Sequence, residues 1–255
     1  MHRISPVMLS LLKIPHQNSG NYSKFKFCYS LICGFYKMTE KIFWVNPYQT
    51  ELASTVVEIL NNKIKLSATI FYAESGGQES DAGTIGRVKV VKAEKDGKSI
   101  IYTLESIPDF EVGDEVLCVI SWTRRYALMK LHFAAEVVLE LFTQNYPSIN
   151  KIGAHISEDK SRIDFDWPEN INTLLPDIQE KAQALIDSDL DIESDFIDRV
   201  DERRYWKVDG FAKVSCGGTH LKKTSEVGNI KLKRKNIGKG KERVEITIAQ
   251  PGYPG

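Results

Sequence analysis

The feature that most limits the fold is a change of hydrophobic period near residue 121. Ahead of it the signals are those of short strands. Arg87-Val88-Lys89-Val90 alternates, Lys95-Asp96-Gly97-Lys98 has the composition of a hairpin turn, and Ile100–Leu104 and Val116–Ile120 are apolar runs of strand length. Beyond it, Leu128, Leu131, Ala135, Val138 and Phe142 recur at spacings of three and four between Arg124 and Gln144, which predicts a helix with one buried face. Closing short strands on themselves protects their edges, so the economical reading is a small N-terminal β-barrel followed by an α+β unit. A length of 255 residues favours two such units over one.

The second unit continues with a predicted helix over Leu174–Ser188 and strand-like pieces at Arg162–Phe165, Trp206–Val214 and Val244–Ala249. Ten of the 26 residues from Asp177 to Glu202 are acidic, which reads as a solvated face. Residues 1–39 contain no acidic side chain, and they carry Arg3, Lys13, Lys24, Lys26 and Lys37. That bias fits a basic N-terminal extension outside the fold, with the working protein starting at Met38; an organellar transit peptide is the alternative. The expected organisation is therefore an extension over 1–37, a barrel over 38–121 and an α+β domain over 122–255.

Lys plus Arg equals Asp plus Glu at 34 each, so any nucleic-acid site must be a local patch. Four irregularly spaced cysteines, Cys28, Cys33, Cys118 and Cys216, suit a reducing compartment, and the expected location is cytoplasmic. No apolar run approaches the roughly 18 residues of a membrane span, so no membrane partner is expected.

Three segments could carry chemistry. Cys216-Gly217-Gly218-Thr219-His220 sets a thiolate and an imidazole within one turn, with paired glycines that let the backbone curl. His132 and Glu136 stand at i and i+4 on the predicted helix and project from the same face. Together they would close a four-coordinate zinc-type site; the alternative is a hydrogen-bonded histidine, a solvated glutamate and a buried thiol. Ser75-Gly76-Gly77-Gln78 permits close backbone approach to an anion, or is only a tight turn. Its Gly-Gly-Gln also occurs in factors that hydrolyse peptidyl-tRNA. Lys231, Lys233, Arg234, Lys235, Lys239, Lys241 and Arg243 concentrate seven basic residues in thirteen, a strip suited to a phosphate backbone or to a solvated loop.

Four blocks between Lys41 and Ala249 resemble, in order, the alanyl-tRNA editing family, free-standing relatives of the alanyl-tRNA synthetase editing domain that share a domain with threonyl-tRNA synthetase. They are Phe71–Gln78 with Asp81 and Gly83, Trp122–His132, Arg162–Phe165, and Cys216–His220 with Thr224–Gly228. The resemblance, to the medium-length type, implies a glycine-rich β-barrel, an editing domain of the threonyl/alanyl-tRNA synthetase type, and hydrolysis of mischarged tRNA(Ala). The substrate would be chiefly the seryl form, with the glycyl form as a second candidate. It implies one zinc ion on His132, Cys216 and His220. The family's second helix histidine is here Glu136, read as a fourth ligand or a general base, and Lys151 stands where glutamine is common. The acceptor end of tRNA(Ala) would lie on the basic strip, with Thr69 and Gln78 lining the cleft and the Thr69 hydroxyl recognising serine. The competing reading is a tRNA-binding protein that lost catalysis with the change at Glu136; a purely structural zinc is a third.

Overall fold

The computed structural model describes residues 38–249, so the N-terminal extension over 1–37 and residues Cys28 and Cys33 lie outside the described residues. In chain order the elements are β1 (Glu40–Lys41), α1 (Ile42–Val45), β2 (Glu51–Leu60), β3 (Lys63–Leu66), β4 (Ala68–Thr69), β5 (Gly83–Ile85), β6 (Val88–Asp96), β7 (Ser99–Leu104) and β8 (Glu115–Ile120). Then come α2 (Trp122–Asn145), β9 (Asn150–Ile156), β10 (Ser161–Asp166), α3 (Leu175–Asp187), β11 (Glu193–Asp198), β12 (Arg203–Val208), β13 (Ala212–Ser215), β14 (Ile230–Gly238) and β15 (Lys241–Ile248). The chain is thus mixed α and β, mostly sheet.

Six of the strands close on themselves in the order β2-β3-β7-β6-β5-β8. Along β7 every second residue is buried, Ile100, Tyr102 and Leu104, and these meet Ile64, Leu66, Phe71 and Ile85 in one core. The expected turn after β6 is a two-residue connection: Asp96 pairs with Ser99, and Gly97 takes the positive φ of 60° that the reversal needs.

A second core gathers α2 and α3 against one face of the four-stranded antiparallel sheet β14-β15-β10-β9, with Phe133, Val137 and Phe142 meeting Ile163, Phe165, Val244 and Ile246. A third sheet, β11-β12-β13, contributes Trp206 to it. The predicted helix over 124–144 is present with one more turn shared between its ends, and the Ser121 side chain caps it by accepting from the Arg124 amide. It differs from expectation in burial: besides Leu128, Leu131, Ala135, Val138 and Phe142, it buries Arg125, Met129, His132, Phe133, Ala134, Val137 and Leu141. A helix covered on more than one side cannot show a single stripe.

Two further expectations change. Trp206–Val214 is not one strand: Asp209, Gly210 and Phe211 break it into the hairpin β12–β13, with Gly210 at φ 75°. The basic strip is neither a loop nor a free patch throughout. It is the hairpin β14–β15, in which Ile230 and Leu232 face the core while Lys231 and Lys233 face out.

The barrel and α2 are joined by a buried ion pair. Arg125 Nε donates to Asp81 Oδ1 at 2.9 Å and Nη2 to Oδ2 at 2.5 Å, with both side chains fully buried. The guanidinium also donates to the Pro47 and Ile70 carbonyls, and Asp81 accepts from the Tyr72 amide at 2.6 Å. All three guanidinium nitrogens and both carboxylate oxygens thus have partners, as a buried pair requires. Arg125→Met leaves the Asp81 carboxylate without a cation and is expected to cost about 3–5 kcal/mol, read as a fall in the urea midpoint. Arg125→Met with Asp81→Asn recovers part of that loss.

Candidate metal centre

His132 and Glu136 lie one turn apart in the middle of α2, and Cys216 and His220 bracket the loop after β13. The loop is anchored at both ends. The Cys216 amide donates to the Arg204 carbonyl at 2.9 Å, and the Lys222 and Lys223 amides donate to Glu226 Oε1 at 2.9 and 3.0 Å. Glu226 also accepts from the hydroxyls of Tyr48 and Tyr126, so the geometry of this turn rests on one carboxylate with four donors. In the loop itself, the Trp44 indole donates to the Gly217 carbonyl at 2.9 Å.

The role of the paired glycines differs from the expected backbone curl. Neither Gly217 nor Gly218 has a positive φ; instead a Cβ on Gly218 would stand 2.6 Å from His132 Cε1 and 2.8 Å from Nε2. Gly218 is small so that the imidazole can come against the backbone.

The ligand atoms of His132, Glu136, Cys216 and His220 all lie within 4.8 Å of one another. His132 Nε2 is 3.2 Å from Cys216 Sγ and 3.4 Å from Glu136 Oε1, and Glu136 Oε2 is 3.6 Å from His220 Nε2. Glu136 Oε2 and His220 Nε2 are buried without a hydrogen-bond partner, although His220 is turned toward them by its other nitrogen, Nδ1, 3.1 Å from Ser194 Oγ. Buried polar atoms are seldom left unpaired, and an ion at their centre would satisfy both. The alternative of a solvated glutamate does not apply, since the Glu136 side chain is 18% exposed.

The charges are strongly coupled. Burial raises the Cys216 thiol, but the neighbouring imidazoles draw it down to about 7. Burial opposes protonation of His132 and His220, yet the Cys216 sulfur and the Glu136 carboxylate hold both above the usual imidazole value. Burial also works against ionising Glu136, and the two imidazoles overcome it, holding the carboxyl far below the usual range. A cation would take the place of these protons.

Of the other expected residues, Gln78 lies against the Cys216–His220 loop: it is fully buried, its Nε2 is 3.5 Å from Thr219 Oγ1, and its Oε1 has no partner. Gly76 and Gly77, at φ 62° and 86°, form the two central residues of a tight turn closed by Ser75 and Gln78. That turn is pinned to β9 by Ile156, whose amide donates to Gly77. A cavity beside it is lined by Gly76, His132, Glu136 and Lys151. Thr69 is placed differently from expectation: it is fully buried, and its hydroxyl already accepts from Tyr102 at 2.5 Å and from the Phe71 amide at 3.0 Å. Within the basic strip, Arg234 makes a two-pronged pair with Glu242 and Arg243 another with Asp164, so both are neutralised. Lys231, Lys233, Lys235, Lys239 and Lys241 are exposed and form no ion pair among the described residues. Ser194 behind His220, and Tyr72, whose hydroxyl is pushed up first by burial and then by the charges of Cys216 and Glu136, were not legible as site residues.

Two family models match the chain: "tRNA synthetases class II (A)" over residues 15–124 and "Threonyl and Alanyl tRNA synthetase second additional domain" over 207–245. An alanyl-tRNA editing protein of Pyrococcus horikoshii, AlaX-M, is 36% identical over 215 residues, covering 83% of this chain and 98% of that protein. The chain belongs to the alanyl-tRNA editing protein family. The AlaX-M editing protein of Saccharolobus solfataricus is 29% identical across 83% of this chain and 99% of its own length. An alanine–tRNA ligase of Methanococcus maripaludis is 31% identical, but the match spans only 26% of that larger protein. Among the described residues, no helix of this editing-family chain is long and apolar enough to cross a membrane.

The two described thiols should separate sharply. Thiolate is the reactive form, so alkylation of metal-free protein should reach half its limiting rate near pH 7 at Cys216. Cys118, buried in the barrel and pushed up to about 12, should stay unreacted. Peptide mapping after iodoacetamide treatment reads both, and a Cys216 midpoint near 9 would contradict the coupling to the imidazoles.

Proposed function

We propose that the protein is a trans-acting hydrolase that deacylates mischarged tRNA(Ala), chiefly Ser-tRNA(Ala), at a centre where His132, Glu136, Cys216 and His220 hold one zinc ion. In this reading residues 38–121 are the barrel domain and 122–255 the editing domain. The observation that carries it is the convergence of the four ligand atoms within 4.8 Å. Three contacts within the cluster, at 3.2, 3.4 and 3.6 Å with the last two on different Glu136 oxygens, are close to the roughly 3.3–3.8 Å between ligands of a tetrahedral ion held at about 2.0–2.3 Å. One thiolate and one carboxylate would also balance the charge of a divalent ion.

Held by all four side chains, zinc would have no open position and would fix the loop against the helix; with Glu136 off the metal, the open position would let it act as a Lewis acid for the ester carbonyl. The chain's own residues do the rest. Ser194 fixes the orientation of His220 through Nδ1. Glu136 fills the fourth position that the family gives to histidine; if it stays off the metal, its carboxylate is the base for the attacking water. Rejecting alanine in favour of serine needs a polar group for the extra hydroxyl, because an apolar pocket separates such pairs poorly. The unpartnered Oε1 of Gln78 is free to accept that hydroxyl, whereas the hydroxyl of Thr69 is engaged in the barrel. The exposed lysines of β14 and its turn would hold the acceptor stem, with a binding constant that falls steeply with salt.

The test is release of serine from Ser-tRNA(Ala), with Ala-tRNA(Ala) as control, by zinc-loaded and chelator-treated full-length protein. Serine release that depends on zinc and greatly exceeds alanine release is expected, with Gln78→Met narrowing the difference at little change in tRNA affinity. No release in either state, with tRNA still bound, would point to a binding protein; gain of activity by Glu136→His would then locate the loss.

A further inference from the structure

A cavity of about 170 Å³ is lined by His220 together with Trp44, Ser194, Arg204, Thr219 and Lys222, and the side chains of its two cations, Arg204 and Lys222, have no role assigned above. None of its lining residues carries a carboxylate, although the chain as a whole has as many acids as bases. Arg204 is 5% exposed, and among the described residues it has no ion-pair partner. Its guanidinium makes only long contacts to the carbonyls of Gly218 and Trp44, at 3.4 and 3.3 Å, and its Nε is buried with no partner. The negative charges that reach it are first the Cys216 sulfur, which belongs to the four-residue centre and makes no ion pair with it, and then Asp195, which is paired with Arg199. The rings of Trp44 and Phe196 hold the guanidinium in place, 5.5 and 5.1 Å from their centroids. Lys222, exposed and also without an ion-pair partner among the described residues, adds a second cation. A buried guanidinium is ordinarily matched by an anion, and burying one unmatched is expensive.

We propose that this cavity binds a phosphate of the RNA substrate, the one that joins the 3'-terminal nucleotide to its neighbour. That phosphate is the anion closest to an aminoacyl ester, one ribose away, and the cavity shares His220 with the metal centre. Arg204 presents the planar, fork-shaped donor that phosphate oxygens accept, and Lys222 adds a point charge. The basic strip would hold the stem while this cavity fixes the terminal nucleotide. The assignment rests on the reading of the substrate as an aminoacylated RNA.

The experiment uses the full-length zinc-loaded protein and an unacylated acceptor-stem RNA, native or with a neutral methylphosphonate at that single linkage, and reads the dissociation constant by anisotropy. Wild type should lose about tenfold or more on neutralisation. Arg204→Met should bind native RNA more weakly by a similar factor and lose much less than wild type with the neutral linkage, the remainder being the share of Lys222, and Lys222→Gln should show a partial version of the same effect. Arg204→Lys, which keeps the charge, serves if the methionine variant does not fold, and should retain sensitivity to the linkage. Equal losses in wild type and Arg204→Met, or none in wild type, would overturn the proposal. So would competition by inorganic phosphate without any effect of the linkage, which would make this a free-anion site. Because the RNA is unacylated, the two readings fail separately: linkage-dependent binding without serine release contradicts only the hydrolase, and serine release without linkage dependence contradicts only the phosphate site.

Discussion

The Arg125–Asp81 pair is the contact on which the rest of the arrangement depends. Arg125 sits in the first turn of α2, two turns ahead of His132, and Asp81 sits just beyond the glycine-rich turn that delivers Gln78. Joining them, with Ile70 and Pro47 as further acceptors, fixes how far the helix slides along the barrel. A fully buried pair tolerates little displacement, because any shift strips a charge of its partners. The register of His132 and Glu136 on the helix against the loop that closes over them therefore follows from an interaction that touches neither.

The second constraint is the approach of the Cys216–His220 loop to the helix. Gly218 makes room for the His132 ring, Glu226 gathers the amides that follow His220, and Trp44 holds the Gly217 carbonyl. Three elements distant in sequence thus converge on one loop. The result is a centre in which two imidazoles, a thiol and a carboxyl perturb one another strongly before any metal is present, as expected of groups poised to exchange protons for an ion.

Much of this was legible in the sequence because it is local. The long helix, the Gly97 turn and the two halves of the His132, Glu136, Cys216 and His220 cluster follow from spacing along the chain. What escaped depends on contacts between distant residues. Thr69 reads as a strand hydroxyl free to meet a substrate, but its partner Tyr102 lies 33 residues away. Arg234 and Arg243 read as free cations, while Glu242 and Asp164 neutralise them across the sheet. The β14 strand was hidden by its lysines, although the alternation of Ile230, Lys231, Leu232 and Lys233 carries the period of two. Ser194 and Arg204 lay in or beside an acidic stretch that suggested only solvent, and nothing local marks a residue that acts from behind a ligand.

The most direct test of the metal centre is the coordination of the bound ion, by zinc K-edge X-ray absorption on the loaded full-length protein. One zinc per chain is expected, with one sulfur at about 2.3 Å and three nitrogen or oxygen ligands at about 2.0 Å. A changed oxygen shell is expected in Glu136→Gln. A second sulfur, a spectrum unaltered by that substitution, or no bound zinc would contradict the four-residue centre with Glu136 as its fourth member.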